Sequence, residues 1–374
     1  MDSTAEDPPG GEIQRHENGQ PTGILFEKAM ELVSSKIPKP SVDELAERVN
    51  EAQQVLWKMG ITSIHDFDKS SAFSAFQRIH NRGELGLRVI KNISYKNLDE
   101  AIALGLRTGF GDAWLRIGHI KFYVDGALGP MTAAMIDSYE DSSDNFGLLR
   151  TGGEELTDMT FNAVKSGLAV SVHAIGDRAN RITLDVFQAV REAEKSNNLP
   201  HLRHRIEHLQ LLHPDDVHRP ASLGVVASMQ PYHATSDMEM AQNLWGKRSR
   251  LSYAWNSQLK AGAVLAFGSD APVEIPNPFL GIHAAVTRKR LDGTPGPEGW
   301  IPEERISLKD TLFAYTRGPA YTAGLEKQQG MLKPGYFADL ITLDTDPFTC
   351  PEDDLPQIAP VATMVGGQWK YRAF

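Results

Sequence analysis

Four side chains in the middle of the chain form the combination best suited to holding a metal ion: Lys121, His173, His208 and Asp270. Each lies within or directly after a short apolar run that predicts a β-strand. Neutral imidazoles and carboxylates are ligands that Zn²⁺ prefers, and bound Zn²⁺ lowers the pKa of its water towards ~7. Together the four residues predict a divalent-metal site with hydrolytic chemistry. A single histidine is more often a buried imidazole bonded to the backbone, so only the joint pattern favours a site.

Lys121 stands inside the apolar segment Ile120–Asp125, where an unpaired ammonium group is costly. One interpretation is an ion pair with a neighbouring carboxylate. The other is a lysine carboxylated by CO₂, which supplies an anionic oxygen ligand and requires a lowered lysine pKa. The sequence alone leaves both interpretations open.

The runs that carry these residues alternate with amphipathic helical patterns. Strands are predicted at Thr62–His65, Leu87–Ile93, Ile117–Val124, Ala169–His173, His204–His208, Val225–Gln230 and Val264–Gly268. Helices are predicted at Glu154–Ser166, at Ala179–Ser196, and over a short stretch, Pro214–Arg219, that ends before Pro220. Such alternation is typical of parallel βα units. Because most strands end in a polar group and no glycine-rich phosphate loop is present, the pattern favours a (β/α)8 TIM-type barrel with one functional mouth.

The C-terminal part has a different pattern. After a helix-like stretch over Ser307–Leu325 come extended segments at Ala338–Asp344, Val361–Val365 and Gln368–Arg372, with a glycine turn before the last. Hairpin signals without intervening helices predict a small β-rich part. We therefore predict a hydrolase barrel over residues 1–325 and a β-sandwich remnant over residues 326–374.

Composition excludes several classes of protein. The chain has 374 residues, a net charge of −10 and one cysteine, Cys350. The charge disfavours nucleic acid as a partner, and the longest apolar runs fall short of the ~20 residues that a membrane helix needs. A single cysteine and an acidic start without signal-peptide order predict a cytoplasmic protein. The expected partner is a small-molecule substrate, with a homo-oligomer left open, and the basic runs Lys247–Arg250 and Arg288–Arg290 are predicted to face solvent.

Five sequence blocks, taken in order, resemble the amidohydrolase superfamily, in particular the amidohydrolase family 3 branch that contains N-substituted formamide deformylase. The blocks are Ile120–Gly129, Val172–Ala179, Arg203–Gln210, Ser228–His233 and Phe267–Val273. The segment Gly330–Asp344 resembles the family's return into its small β-sandwich, and Gly10–Leu25 also fits. The resemblance covers nearly the whole chain.

This resemblance implies a metal-dependent hydrolase of C–N bonds in amides, formamides or related compounds, acting through a metal-activated hydroxide. Lys121 matches the usually carboxylated lysine, and His173 and His208 match metal ligands. Asp270 matches the aspartate that binds the metal and shuttles the proton. His233 would polarise the substrate or its oxyanion, although a solvated loop histidine is an equal alternative. The implied cofactor is a divalent metal, preferentially zinc, with one or two ions in the family and at most one expected here.

One family feature is missing from the sequence. The family carries a His-x-His pair at the end of its first strand, and this sequence contains no His-x-His. We therefore expect an N-terminally truncated barrel without its first strand, whether through an incomplete gene model, an isoform or a genuine short relative. The rival functional interpretation is an inactive relative that binds a ligand or a partner. The retained Lys121, His173, His208 and Asp270 favour the enzyme.

Overall fold

The computed structural model describes residues 4–9, 11–140 and 142–374. These form two compact units, one up to Leu45 and one from Ala46 to Phe374. The strands are β1 Gly11–Arg15, β2 Pro21–Glu27, β3 Ser63–Asp66, β4 Arg88–Ser94, β5 Leu115–Tyr123, β6 Val170–Ala174, β7 Arg205–His208, β8 Val226–Met229, β9 Leu265–Phe267, β10 Leu340–Leu343, β11 Pro360–Val365 and β12 Gln368–Arg372. The helices are α1 Glu31–Ser34, α2 Val42–Lys58, α3 Ser70–Asn81, α4 Leu98–Ala103, α5 Gly153–Lys165, α6 Asp177–Ser196, α7 Arg219–Ser222, α8 Pro231–Trp245, α9 Trp255–Ala261, α10 Pro278–Thr287 and α11 Leu308–Thr322. None of the described helices has both the length and the apolar character that crossing a membrane requires.

The first unit is built on a hairpin in which β1 and β2 pair antiparallel, with Ile13 opposite Leu25. The turn is closed by the His16 amide, which donates to the Gln20 carbonyl over 2.8 Å. The dipeptide Asn18–Gly19 at this turn is typical of tight hairpins, because glycine readily takes the positive φ required. This hairpin is an addition to the predicted elements.

The second unit is organised around a seven-stranded parallel sheet in the order β3-β4-β5-β6-β7-β8-β9. Each of the seven predicted strands is found, with bounds that differ by two residues at most. The curled sheet has β3 and β9 at its edges. This confirms the predicted TIM-type α/β architecture with one strand fewer than a closed eight-stranded barrel.

The helices between these strands agree with the predicted pattern, with one correction. The helices α5 and α6 lie where they were expected. The prediction of one short helix over Pro214–Arg219, ending before Pro220, is wrong. A 3₁₀ turn covers Pro214–Asp216, and α7 begins at Arg219 with Pro220 in its first turn. Proline is tolerated there because amides of the first turn lack an acceptor within the helix.

The core beside the sheet contains aromatic side chains and one unexpected cation. Trp255 and Tyr253 are buried. Arg288, predicted to face solvent, is buried too, with its guanidinium 4.4 Å from the Trp255 ring centre and 4.9 Å from that of Trp300. It donates to the carbonyl of Tyr253 over 2.9 Å. Stacking on indole rings and carbonyl acceptors stabilises an arginine that the sequence pattern assigns to the surface.

The C-terminal hairpin signals are confirmed by a three-stranded antiparallel sheet in the order β10-β11-β12. Polar contacts help to join this C-terminal part to the rest of the second unit. Thr363 Oγ1 donates to the carbonyl of Trp57 over 2.7 Å, and Arg88 forms a buried salt bridge with Asp339 at 2.5 Å. The boundary predicted near residue 325 stays a prediction.

We expect Gly318→Ala to destabilise the protein by about 1–3 kcal/mol, because a Cβ at Gly318 would lie 1.9 Å from the carbonyl oxygen of Leu265 and would push α11 away from β9. Gly153 in α5 is a matched control, since its Cβ would meet Ile182 Cγ2 at an ordinary 3.5 Å. Gly153→Ala should leave stability unchanged or raise it. Urea denaturation checks both variants, and an equal effect of the two would contradict the close approach.

Candidate metal centre

His208, the last residue of β7, is oriented by the start of α8. Its Nδ1 lies 2.9 Å from Oε1 of Gln230. An amide oxygen only accepts, so Nδ1 carries the proton and Nε2 carries the lone pair. Burial holds the pKa of His208 well below its ordinary value, so the imidazole is neutral at pH 7, as a metal ligand must be. His208 also has a positive φ of 74°, a strained conformation of the kind that clusters at functional sites.

His233 lies in the first turn of α8 between two carboxylates. Its Nε2 is 3.5 Å from Oδ2 of Asp270, and its Nδ1 is 3.4 Å from Oε1 of Glu274. Burial opposes the charged imidazole, but the two carboxylates outweigh it and raise the pKa of His233 to about 9. Asp270 follows β9 and has a positive φ of +57°. Burial alone would raise the pKa of its carboxyl, but the contact with His233 outweighs that effect, and the pKa is lowered. The surroundings therefore favour a positive charge at this position.

These side chains have the composition and spacing of a small metal site. One donor atom each from His208, His233 and Asp270 lies within 4.8 Å of the others. Zinc bonds of about 2.0–2.2 Å in tetrahedral geometry require donors roughly 3.4 Å apart, which small side-chain rotations can reach. Two imidazoles and one carboxylate, with a fourth position open, form a donor set typical of catalytic zinc sites. A bound cation would have to displace the second proton of His233, because an imidazole binds metal only in its neutral form. With that proton removed, the residues present fit a divalent cation.

His173 lies beside this group but is held differently. Its ring meets that of His208 edge-on, with centres 4.6 Å apart. Its Nε2 lies 2.8 Å from the carbonyl oxygen of Gly126 and 3.4 Å from Oδ1 of the buried Asp125. Asp125 in turn accepts hydrogen bonds from the backbone amides of Ala134 at 2.9 Å and Gly176 at 2.8 Å. His173 is thereby fixed at the same mouth, with Nδ1 as its available nitrogen.

Lys121 is buried in β5, where its Nζ lies 4.9 Å from the ring centres of both Phe67 and Tyr123. Within the described part of the chain it forms no salt bridge, so the ion-pair interpretation is not found. Burial lowers the pKa of Lys121 to about 8, although the charge of Glu207 opposes that shift. The carboxylated form stays a prediction.

A buried ionic group that the sequence analysis did not use lies next to Lys121. Glu207 accepts hydrogen bonds from the hydroxyls of Ser171 at 2.7 Å and Ser228 at 2.6 Å. Arg205 Nε is 2.7 Å from Glu207 Oε1, but the two groups are not aligned for a hydrogen bond, so this contact is an ion pair. Arg205 also donates to Nδ1 of His65 over 2.9 Å.

The structure thus brings together His173, His208, His233 and Asp270, while Lys121 lies nearby in the sheet interior. Glu274 was missed, because nothing in its loop sequence distinguishes it from a solvated acid. Glu207 could have been found from the sequence, because a charged residue inside a predicted buried strand needs a partner of opposite charge.

A model of the amidohydrolase family matches residues 1–371. The chain belongs to this family. It is 35% identical to the protein LONG AFTER FAR-RED 3 of Arabidopsis thaliana, over 99% of this chain and 64% of that protein. It is 31% identical to the putative amidohydrolase YtcJ of Bacillus subtilis, over 98% of this chain and 68% of that protein. It is 26% identical to N-substituted formamide deformylase of Arthrobacter pascens, over 98% of this chain and 68% of that protein.

This amidohydrolase-family chain spans about two thirds of the length of these relatives, between 64% and 68%. Among solved structures it resembles an uncharacterised metal-dependent hydrolase from Pyrococcus horikoshii, with a TM-score of 0.78 and 29% identity. That likeness covers 91% of this chain and 68% of the other. The family and fold expected from the sequence blocks are confirmed.

Proposed function

We propose that this amidohydrolase-family chain is a metal-dependent hydrolase of C–N bonds in amides, formamides or related small molecules. The observation that carries the proposal is the convergence of His208, His233 and Asp270, with donor atoms within 4.8 Å of one another. The Arthrobacter relative, described as a deformylase of N-substituted formamides, supports C–N bonds as the target. The Pyrococcus structure, described as an uncharacterised metal-dependent hydrolase, supports hydrolysis that depends on a metal.

Two sets of candidate ligands share His208 and Asp270. The set implied by the family resemblance adds His173 and Lys121. The other adds His233, whose donor atom lies within 4.8 Å of those of His208 and Asp270. A bound divalent cation such as Zn²⁺ supplies Lewis-acid chemistry and activates water. Lys121 supports this proposal through its lowered pKa of about 8. Its neutral amine can add to CO₂, forming an N–C bond and releasing one proton, which yields an anionic oxygen donor in the sheet interior.

Asp270 is the group that we assign to proton transfer. Hydrolysis adds water to the carbonyl carbon and breaks the C–N bond, and the nitrogen leaves with one additional proton. The Asp270 carboxyl has a lowered pKa, so it is ionised at neutral pH and accepts a proton from water. Its side chain is 41% exposed, so water and substrate reach it. The same carboxyl then delivers the proton to the leaving nitrogen.

We expect the protein, purified without added metal, to hold no more than about one tightly bound divalent ion per chain, because the donors converge on one open site. Elemental analysis checks the ion content, and hydrolysis of a panel of N-substituted formamides and amides checks activity. Stripping with a chelator should abolish hydrolysis, and adding Zn²⁺ should restore it. Two tightly held ions per chain would contradict the single-site expectation.

A second candidate function is a family member that binds a ligand but turns nothing over. The absence of any His-x-His from the sequence favours it, because the family pattern places two ligands there. The same measurements decide between the two. One bound ion together with no hydrolysis of any panel compound would support the binding protein and reject the hydrolase.

A further inference from the structure

Tyr123, the last residue of β5, lies on the inner face of the sheet at its carboxyl end. It is paired in register with His173 of β6, and the two ring centres are 5.6 Å apart. Adjacent residues of a strand point to opposite faces of a sheet. Phe122 is accordingly buried on the other face, stacked on Tyr95, whereas Lys121 has its Nζ 4.9 Å from the Tyr123 ring centre. Tyr123 therefore lines the same mouth as the candidate metal ligands.

The hydroxyl of Tyr123 is available to a bound molecule. The residue is half-buried, and its backbone carbonyl accepts a hydrogen bond from Thr151 Oγ1 over 2.9 Å, which fixes the end of β5. Within the described ranges the hydroxyl itself has no hydrogen-bond partner. Burial, and then the charge of Asp270, raise the pKa of this hydroxyl. The phenol therefore keeps its proton at neutral pH and can donate it in a hydrogen bond.

His233, the group that the family resemblance would place on the substrate oxygen, is already engaged. Its two ring nitrogens lie 3.5 Å from Oδ2 of Asp270 and 3.4 Å from Oε1 of Glu274. Two carboxylates thus compete with a substrate oxygen for the N–H groups of this ring. The Tyr123 hydroxyl has no such competitor in the described part of the chain, so it is the more available donor.

The order of the strands gives a bound amide a direction. Four rings form a row across the mouth, with neighbouring centres 5.6, 4.6 and 6.1 Å apart, and they belong to Tyr123, His173, His208 and His233. Asp270 follows β9 at the end of this row opposite to Tyr123. An amide that lies along the row with its nitrogen at Asp270, the group assigned to proton transfer, directs its carbonyl oxygen towards Tyr123.

We propose that Tyr123 is a catalytic residue whose hydroxyl donates a hydrogen bond to the carbonyl oxygen of the amide, and to the oxyanion that forms when water adds to the carbonyl carbon. The proton stays on the phenol throughout, and Asp270 transfers the proton that the leaving nitrogen gains. Negative charge grows on the oxygen as water adds, so this hydrogen bond is stronger in the transition state than in the bound substrate. The inference rests on the proposed function and deepens it, because it names the residue that recognises the amide oxygen.

The test compares formanilide with thioformanilide, whose sulfur is a weaker hydrogen-bond acceptor than oxygen, on the full chain with its metal content measured. Tyr123→Phe removes only the hydroxyl. We expect it to lower kcat for formanilide by roughly 10²–10³-fold, the effect of losing one oxyanion donor, and kcat for thioformanilide by less than about 10-fold. KM and ion content should change little, because the interaction forms mainly in the transition state.

Tyr95→Phe is the matched control, because it makes the same chemical change against Phe122, on the opposite face of β5. Its rates with both compounds should stay within about 3-fold of wild type. Equal losses for the two compounds in Tyr123→Phe would overturn the inference, since a structural or metal-related defect does not distinguish oxygen from sulfur in this way. A kcat for formanilide within about 3-fold of wild type in Tyr123→Phe would overturn it as well.

Failure of the proposed activity gives a different result. If the wild-type protein hydrolyses neither compound, the hydrolase is rejected for these amides, and calorimetric titration with the same compounds decides the inference. Tyr123→Phe should then bind formanilide about 5–10-fold more weakly than wild type, the value of one hydrogen bond, and thioformanilide equally well. Equal binding of formanilide by both proteins, or no binding by wild type, would reject the inference together with the activity.

Discussion

Replacing Asp270 by Asn lowers the rate of C–N hydrolysis by roughly 10²–10⁴-fold, the range that a positioned general base contributes. The amide of Asn cannot accept the proton of the attacking water or return it to the leaving nitrogen. Asn has nearly the same shape as Asp and tolerates the left-handed φ of +57° at this position. The backbone should therefore stay in place, and the loss should come from the proton chemistry and the weaker metal ligand.

The measurement is kcat/KM at saturating Zn²⁺, together with the ion content of each preparation. Asp68→Asn is the control, because Asp68 lies just after β3 in an exposed position where its side chain accepts from the Lys69 amide. We expect the control to stay within about 3-fold of wild type, as surface substitutions usually do. An Asp270→Asn enzyme with full ion content and a rate within 10-fold of wild type would remove Asp270 from proton transfer.

The sequence predicted the convergence of the site for a simple physical reason. Parallel strands place all their carboxyl ends on one side, so His173 near the end of β6 and His208 at the end of β7 lie at the same edge, where their rings are in contact. Asp270 follows β9 and obeys the same rule. Recognising the strands from their apolar β-branched runs was therefore enough to place three members of the site.

The partners of these residues were not predictable in the same way. Glu274 reaches His233 from a loop, and loop contacts depend on tertiary packing rather than on sequence periodicity. The role of His233 was left open for the same reason. Arg288 was assigned to the surface because charged runs usually face solvent, but Trp255 and Trp300 provide a stacking environment that no local pattern reveals. Local sequence thus predicts strands and their ends, whereas contacts between distant side chains require the fold.

The buried ionic group beneath the site is expected to control stability. Glu207 is the counter-charge for Arg205, and it also acts on Lys121. Removing it by Glu207→Gln leaves the buried guanidinium of Arg205 without compensation, which should cost about 3–5 kcal/mol of the free energy of unfolding. Glu303→Gln is the control, because its pair with Arg250 is exposed and is worth at most about 1 kcal/mol.

Glu207 should also make the stability of the protein depend on pH. Burial opposes the charged form of Glu207, but Arg205 and Lys121 outweigh it and lower its pKa to about 2, from 4.5 for an ordinary glutamate. A carboxyl whose pKa is lower in the folded state stabilises the fold above the unfolded pKa. This stabilisation is lost as the pH falls from about 4.5 to about 2. Urea denaturation of wild type and Glu207→Gln across that range should give curves that converge towards acid pH. Parallel curves, or a loss below about 1 kcal/mol at pH 7, would show that Glu207 does not compensate the buried charge of Arg205.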